Sequence, residues 1–268
     1  MGIRAPAHKL ATIIQSRDQA SQPLNGGDDT GRICLMLFDA TTKDTFLNIF
    51  EGAPERELRA GDMLIHAGAD AESVYNILEG TLMVTRIGND GRRQVMSFLF
   101  PDNFIGLTTD RYFFAVQAVT DARIVARPRG VLEARLEEDA EAGRAFLNMV
   151  YRVLENSMDL VYSLGQRTAV ERVAVFLLYL RNRQKVALGL EDEAPGLSRI
   201  DLPMSRQDIA DFLGLKKETV SRSFTQLDDR GLISRPDNAH AIIDDLQGLR
   251  KLAGIQDFSS PLRPDQAR

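Results

Sequence analysis

The sequence has few of the residues that bind metals and redox cofactors, since its 268 residues include one cysteine, three histidines and no tryptophan. A single cysteine cannot form an internal disulfide or supply the four thiolates of an iron–sulfur cluster, which excludes oxygen sensing by that route. The N-terminus has no apolar signal core, and no stretch approaches the roughly 18 consecutive apolar residues of a membrane span. We therefore expect a protein of the reducing cytoplasm, with no membrane segment, no disulfide and no metal site.

An excess of positive charge is also absent, because the formal net charge is −5. Residues 199–251 contain nine basic and nine acidic residues and are neutral overall. Within residues 214–225, however, Glu218 is the only acid and faces three cations, namely Lys216, Lys217 and Arg222. Attraction to phosphates depends on the charge of the facing surface rather than on the total. The charge therefore neither supports nor excludes a nucleic-acid partner.

Residues 202–231 contain two amphipathic helical patterns separated by one tight turn. Gly214 lies between them, where a helix end often needs a left-handed residue that glycine adopts at little cost. Ser205 and Asp208 form a plausible N-terminal cap for the first helix. The buried stripes are Ile209, Ala210 and Leu213 in the first helix, and Val220, Phe224 and Leu227 in the second. This pattern predicts a helix-turn-helix; the alternative is an ordinary helix pair in an all-α core.

The segment after Gly231 predicts a two-stranded wing. Residues 232–235 form a short apolar run, 236–238 are turn-like, and 240–243 form a second apolar run. A winged helix-turn-helix is therefore expected. Its second helix carries polar side chains on the face opposite the buried stripe, and such a face has the length and chemistry to read base edges in a major groove.

Residues 55–130 have the pattern of a jelly-roll or cupin barrel, in which short apolar runs alternate with glycine-containing turns. Asp90 and Gly91 are a strong hairpin signal between two of these runs. Residues 131–164 then change to a helical period. A coiled-coil seam repeats at spacings of four and three, through Phe146, Val150, Val153, Ser157, Leu160 and Leu164.

A second apolar stripe runs beside this seam, through Leu147, Leu154, Met158 and Val161. One stripe would serve a helix lying on its own barrel, whereas two stripes imply a further partner. A second copy of the chain is the simplest partner, and we assign the six-residue seam to the dimer interface. The alternative is that both stripes are buried within one subunit.

Together these patterns predict an α+β fold with an N-terminal cupin-like (jelly-roll) β-barrel, a long dimerisation helix and a C-terminal winged helix-turn-helix. The expected boundaries are a mobile N-terminal arm at 1–30, a β-barrel sensor domain at 31–130, the dimerisation helix at 131–166, the DNA-binding domain at 167–254 and a tail at 255–268.

This order of domains resembles the CRP/FNR family of bacterial transcription regulators over roughly residues 46–252. The resemblance is most specific at residues 204–210 (MSRQDIA) and 218–222 (ETVSR). It implies a cyclic-nucleotide-binding-like barrel, a homodimer that binds double-stranded DNA, and contact with RNA polymerase. Whether such a protein activates or represses transcription stays open.

The resemblance also implies roles in DNA recognition. Glu218, Ser221 and Arg222 match the Glu-x-x-Ser-Arg pattern of the FNR and FixK branch, which recognises TTGA-type half-sites. Arg222 can donate a fork to guanine, Glu218 can accept from a cytosine amine, and Ser221 leaves room for a thymine methyl group. The residues expected at phosphates are Ser205, Arg206, Lys216, Lys217 and Thr219. Lys216 departs from the Ser or Thr that many relatives have as a helix cap.

The family's cyclic-AMP site uses a Gly-Glu element followed by an arginine and a small hydroxyl residue. Residues 103–114 have no Gly-Glu pair, Arg111 is the only nearby cation, and Tyr112, Phe113 and Phe114 would crowd a polar ligand. We expect no cofactor, as in FixK-like members controlled through their own expression, with cyclic nucleotide and haem left as alternatives. His66 is the candidate haem ligand, and Cys34 is either an oxidisable switch or a buried small hydrophobe.

Two functions of other classes are less consistent with the sequence. A metal-dependent cupin enzyme would need several histidines and a carboxylate inside the barrel, where only His66 is available. A cyclic-nucleotide regulatory subunit would lack the phosphate clamp and would have no use for a helix-turn-helix. We therefore expect a regulator and not an enzyme.

Overall fold

The computed structural model describes residues 45–188 and 198–255. The expected N-terminal arm, Cys34 and the expected C-terminal tail beyond residue 255 lie outside the described residues. Within the described ranges, no helix combines the length and the hydropathy that crossing a membrane requires.

The N-terminal domain contains eight antiparallel strands, which follow a 3₁₀ helix at Thr45–Phe50. They are β1 (Glu55–Leu58), β2 (Met63–Ile65), β3 (Ser73–Glu79), β4 (Leu82–Ile87), β5 (Arg93–Leu99), β6 (Phe104–Ile105), β7 (Ala115–Ala118) and β8 (Ala122–Pro128). The strands form two four-stranded sheets, in the orders β1-β8-β3-β6 and β2-β7-β4-β5. The expected jelly roll is thus confirmed as a two-sheet arrangement.

The turns between these strands are set by glycine. The hairpin predicted at Asp90 and Gly91 is confirmed, since β4 pairs with β5 and places Ile87 opposite Arg93. Gly80 separates β3 from β4 with φ of 88°. A Cβ atom at Gly80 would overlap the backbone of Asp121 and Ala122, so this turn requires glycine for both its conformation and its space.

Three helices follow, namely α1 (Arg129–Glu138), α2 (Ala140–Gln166) and α3 (Ala169–Leu188). The single helix predicted over residues 131–166 is therefore divided, and the break lies at Asp139. The extended backbone of Asp139 (φ −121°, ψ 104°) ends α1, and its carboxylate accepts hydrogen bonds from the backbone nitrogens of Glu141 (2.8 Å) and Ala142 (3.2 Å). An N-cap of this kind starts a new helix, and Asp139 was the sequence signal for it.

The six residues of the seam on α2 differ in how far their own chain buries them. Phe146, Val150 and Val153 are partly buried against the core of their own jelly roll, and the Phe146 ring meets the ring of Phe46 edge-on at 5.3 Å. Leu160 packs on the main core of the same chain. The second stripe is the exposed one, with Met158 at 61% and Val161 at 70% exposure. In a single chain the second stripe is therefore the more exposed surface of α2, although Ser157 of the seam is exposed as well. The assignment of the seam to a dimer interface stays a prediction.

The C-terminal domain consists of β9 (Arg199–Asp201), α4 (Arg206–Leu213), α5 (Lys217–Asp229), β10 (Ile233–Ser234), β11 (His240–Ile243) and α6 (Leu246–Leu252). The predicted two-stranded wing is present as β10 and β11, but β9 adds a third strand by pairing with β11. Strand β9 is only three residues long and has a single buried side chain, Ile200, which is too little for periodicity to reveal.

Candidate DNA interface

Helix α4 begins with a reciprocal cap. The Ser205 hydroxyl accepts a hydrogen bond from the Asp208 backbone nitrogen, and the Asp208 carboxylate accepts one from the Ser205 backbone nitrogen, each at 3.1 Å. The cap predicted from the sequence is confirmed. It satisfies two of the backbone donors that a helix start leaves unpaired, and so fixes where α4 begins.

The turn between α4 and α5 is the left-handed turn expected at Gly214, with φ of 63° and ψ of 38°. Its backbone nitrogen donates to the carbonyl of Ala210. A Cβ atom at this position would lie 3.3 Å from Leu164 at the end of α2, which is tighter than most side-chain contacts. The turn between the two helices therefore favours glycine both for its left-handed backbone and for the small space beside Leu164.

Helix α5 is held by one face and exposes the other. Val220, Ser223, Phe224 and Leu227 are buried, whereas Lys217, Glu218, Ser221 and Arg222 are exposed. The Arg222 Nε lies 3.4 Å from the Glu218 carbonyl and donates to it, so the guanidinium stem follows the helix towards its N-terminus. The three residues expected to read bases thus share one solvent-facing surface.

The N-terminus of α5 has no side-chain cap. Lys216 occupies the N-cap position with extended backbone (φ −85°, ψ 148°) and makes no side-chain hydrogen bond there. The free backbone donors, together with the exposed Lys216 and Lys217 side chains, create a positive end of the helix. Such an end is suited to a phosphate.

Arg206 differs from the other residues expected at phosphates, because its guanidinium stacks on the Phe224 ring at 3.8 Å from the ring centroid. Both terminal nitrogens are buried and have no hydrogen-bond partner among the described residues. Burial, followed by repulsion from Arg235, lowers the pKa of Arg206. Contact with a phosphate would require this side chain to leave the ring, and it would relieve the two unpaired donors.

Arg172 was not singled out from the sequence, yet it joins three elements next to the motif. Its guanidinium donates to the carbonyls of Arg167 (3.0 Å), Leu213 (3.0 Å) and Leu164 (2.6 Å). The carbonyls of Leu164 and Arg167 lie at the C-terminal end of α2 and that of Leu213 at the end of α4, while Arg172 itself belongs to α3. The only local signal for this role is an arginine in the first turn of a mostly apolar helix.

A cavity of about 220 Å³ lies between β4, β5 and α2. Its lining contains no cation and is apolar apart from Ser97, Asn156 and Ser157. Arg111 does not line the cavity and instead pairs with Asp70 at 3.0 Å on the surface. His66 is exposed, just beyond the end of β2. In the described part of the chain, no group of three or more His, Cys, Asp or Glu side chains could hold a metal ion.

Comparison with known proteins places both domains. The family model of the Crp-like helix-turn-helix domain matches residues 171–252, and that of the cyclic nucleotide-binding domain matches residues 55–139. The nitrogen fixation regulation protein FixK of Azorhizobium caulinodans is 39% identical over 183 residues, which are 68% of this chain and 72% of that protein.

Two further relatives agree with this assignment. The transcriptional activator protein FnrL of Cereibacter sphaeroides is 32% identical over 200 residues, which are 74% of this chain and 80% of that protein. The solved structure of FixK2 from Bradyrhizobium japonicum superposes with a TM-score of 0.68 at 31% identity, covering 75% of this chain and 96% of that one. The FixK and FnrL relatives are named as a regulation protein and a transcriptional activator protein. Because both domain models match and the relatives above 30% identity extend over most of the chain, it belongs to the CRP/FNR family of DNA-binding transcription regulators, in its FixK-like branch.

Proposed function

We propose that the protein is a homodimeric transcription regulator that recognises a palindromic operator with TTGA-type half-sites. The observation that carries the proposal is the exposed surface of α5 formed by Glu218, Ser221 and Arg222, on a helix that is packed firmly from behind. The residues proposed to contact phosphates are Ser205, Arg206, Lys216, Lys217 and Thr219. The names of the relatives, a nitrogen fixation regulation protein and a transcriptional activator protein, support a role in gene regulation.

The chemistry of this surface fits one G·C pair and its neighbours in each half-site. The Arg222 guanidinium can donate two hydrogen bonds to O6 and N7 of guanine, and Glu218 can accept one from the amine of cytosine. Ser221 is small enough to leave room for a thymine methyl group. A single bidentate contact of this kind contributes about 1–3 kcal/mol of discrimination between bases.

We propose that the dimer forms through the exposed stripe of α2. Together with the neighbouring Tyr151 and Tyr162, the four residues of this stripe form a surface of six apolar or aromatic side chains that are all more than two fifths exposed, namely Leu147, Tyr151, Leu154, Met158, Val161 and Tyr162. A continuous apolar surface of this size favours burial against a partner. A second copy related by a two-fold axis would bury the same stripe on both chains and would present two reading helices to a palindrome.

The reading role is tested with Arg222→Ala and with Arg230→Ala as a control, because Arg230 caps the far end of the same helix and is also exposed. Fluorescence anisotropy compares a TTGA palindrome with a scrambled duplex, the half-sites separated by about six base pairs so that their centres lie about one helical turn apart. We expect Arg222→Ala to lose the preference for the palindrome, by about 1–3 kcal/mol for each half-site. Equal discrimination by Arg222→Ala and Arg230→Ala would contradict the assignment.

We propose that DNA binding requires neither cyclic nucleotide nor haem. The cavity beside α2 has no cation to hold a phosphate, and the aromatic side chains of Phe113 and Phe114 line it. The residues present therefore do not fit a cyclic nucleotide. The exposed His66 is likewise not directed into this cavity. The alternative is a cyclic-nucleotide- or haem-responsive regulator of the same family. It is tested by anisotropy with millimolar cyclic AMP and by the visible absorbance of the purified protein: increased affinity or a haem band would favour it.

We further propose that the protein acts in the cytoplasm through contact with RNA polymerase. The naming of FnrL as a transcriptional activator supports this partner. Transcription in vitro from a promoter carrying the palindrome, with and without the protein, measures whether the effect is activation or repression.

A further inference from the structure

One charged contact links the jelly roll to the DNA-binding domain. Arg93 begins strand β5, and its Nε donates to the Asp211 carboxylate at 2.7 Å. One terminal nitrogen of the same guanidinium lies 2.7 Å from Asp211 and also donates to Asp208. Both carboxylates belong to α4 and are largely buried, with side-chain exposures of 14% for Asp208 and 13% for Asp211.

The two carboxylates also organise the start of the motif. Asp208 forms the reciprocal cap with Ser205, and Asp211 accepts a hydrogen bond from Gln207 at 2.6 Å. Burial alone would raise the pKa of Asp208, but hydrogen bonds from Ser205 and Arg93 outweigh it and lower that pKa below its ordinary value. The Asp208 carboxylate is therefore ionised at neutral pH. Arg93 binds the same carboxylate that caps the first turn of α4.

The charged contact lies at the edge of an apolar one. The Phe98 ring on β5 packs against the Phe212 ring of α4 at 5.2 Å and against the Phe176 ring of α3 at 6.1 Å. Beside it, Gln94 donates to the Phe212 carbonyl at 3.3 Å. Apolar packing is non-directional and tolerates sliding, whereas a guanidinium fork on two carboxylates fixes one orientation. On the side of the helix-turn-helix, Arg93, Gln94 and Phe98 contact residues of α4, so the proposed base-reading residues of α5 stay exposed.

We propose that Arg93 is a positioning residue for DNA recognition, which fixes the orientation of the helix-turn-helix on its own jelly roll. The inference rests on the proposed function in one respect: in a dimer, this orientation sets the distance between the two reading helices. Those helices must enter successive major grooves about 34–36 Å apart. A protein without this contact would tolerate other half-site spacings. It would also bind DNA more weakly, because binding would have to fix the orientation of the helix-turn-helix domain.

The test uses Arg93→Gln and a matched control, Arg92→Gln. Arg92 is the adjacent residue, is 89% exposed and pairs only locally, with Asp90 at 2.5 Å. Anisotropy measures affinity for three palindromes whose half-site centres are about 9, 10 and 11 base pairs apart. We expect the unaltered protein and Arg92→Gln to prefer one spacing strongly. Arg93→Gln should bind that duplex roughly tenfold more weakly and discriminate among the three by less than about threefold.

Two further variants separate positioning from a general effect on folding. Arg93→Lys keeps the charge but not the planar fork, and we expect intermediate behaviour. The exchanged pair Arg93→Asp with Asp211→Arg restores opposite charges across the junction, and we expect it to recover part of the spacing preference. An Arg93→Gln protein with the original spacing preference would overturn the inference.

If the chain binds none of these duplexes, that result counts against the proposed function and not against the role of Arg93. A measurement without DNA then tests the role of Arg93. Hydrogen exchange of the α4 backbone amides reports how firmly this helix is held. We expect exchange in α4 to be several-fold faster in Arg93→Gln than in Arg92→Gln, with exchange in β7 unchanged. Equal protection of α4 in the two variants would contradict a positioning role for Arg93.

Discussion

Lys216 combines a cost in stability with the proposed role in DNA binding. It occupies the N-cap of the reading helix, where Ser, Thr, Asp or Asn would accept a hydrogen bond from the first backbone nitrogens, and it makes no such bond. Its charge also opposes the positive end of the helix dipole. Both effects disfavour a lysine at this position. An anion that approaches the same end of the helix would offset them.

We predict opposite effects of Lys216→Ser on stability and on DNA binding. The serine should raise the free energy of unfolding by about 1 kcal/mol, which corresponds to roughly 2–4 °C in Tm for a chain of this size. Loss of one cation from each subunit should reduce the salt dependence of DNA binding by about two units of slope. Calorimetry and anisotropy at several salt concentrations measure the two effects.

Lys251→Ser is the control for this substitution, because it removes an exposed lysine from the last turn of α6, away from the start of the reading helix. It should change neither quantity appreciably. An unchanged salt dependence in Lys216→Ser would contradict the phosphate contact, and an unchanged Tm would contradict the missing cap.

Individual residues could be predicted where local pattern decides their position. The spacing of Val220, Phe224 and Leu227 buries one face of α5 and so exposes Glu218, Ser221 and Arg222 on the other. The stacking of Arg206 on Phe224 depends on how two helices cross, which local pattern does not specify. The pairing of Arg93 with Asp211 joins residues 118 positions apart in the chain, and nothing near Arg93 in the sequence indicates it.

Helix α2 shows what periodicity can and cannot determine for an element. The sequence correctly indicated two apolar stripes, because repeated spacings of three and four residues place side chains on defined faces. It could not determine which stripe lies on the jelly roll. That choice follows from the rings of Phe46 and Phe104, which both meet Phe146 edge-on.

We predict that Met158→Glu prevents association of two chains through α2. Met158 lies within the exposed stripe, and a two-fold interface would bring both introduced carboxylates into an apolar contact. The dimer dissociation constant should rise by at least about 100-fold, which corresponds to about 3 kcal/mol. Sedimentation equilibrium measures it directly.

The control for this substitution is Asn148→Glu, which introduces the same charge at an exposed position of α2 outside the stripe. It should leave association nearly unchanged. A Met158→Glu protein that associates as tightly as Asn148→Glu would show that the stripe is not the interface.

For the whole molecule, the sequence predicted the order and type of the domains because turn residues divide it so clearly. Glycine turns separate the strands of the jelly roll, and the Ser205 cap and the Gly214 turn define the motif. It did not predict β9, whose three residues form a strand only because β11 pairs with it. Long-range pairing of this kind depends on the assembled domain and leaves little trace in local composition.

The same architecture explains how the proposed function would arise. The jelly roll contacts the motif at Phe212, whose carbonyl accepts a hydrogen bond from Gln94 and whose ring packs against Phe98. Arg172 joins the end of α4 to the end of α2. Through these contacts a movement of α2 would be transmitted to α4. In the proposed dimer, the spacing of the two reading helices would then depend on the dimer as a whole.

The central claim is that two chains together read one palindrome, and native mass spectrometry of the protein with operator duplexes tests it most directly. With a duplex carrying two TTGA-type half-sites, we predict a complex of two 29.8 kDa chains on one duplex, with almost no one-chain complex. A duplex with both half-sites scrambled should compete poorly. One chain on each duplex, or equal binding of palindromic and scrambled DNA at low salt, would contradict the claim.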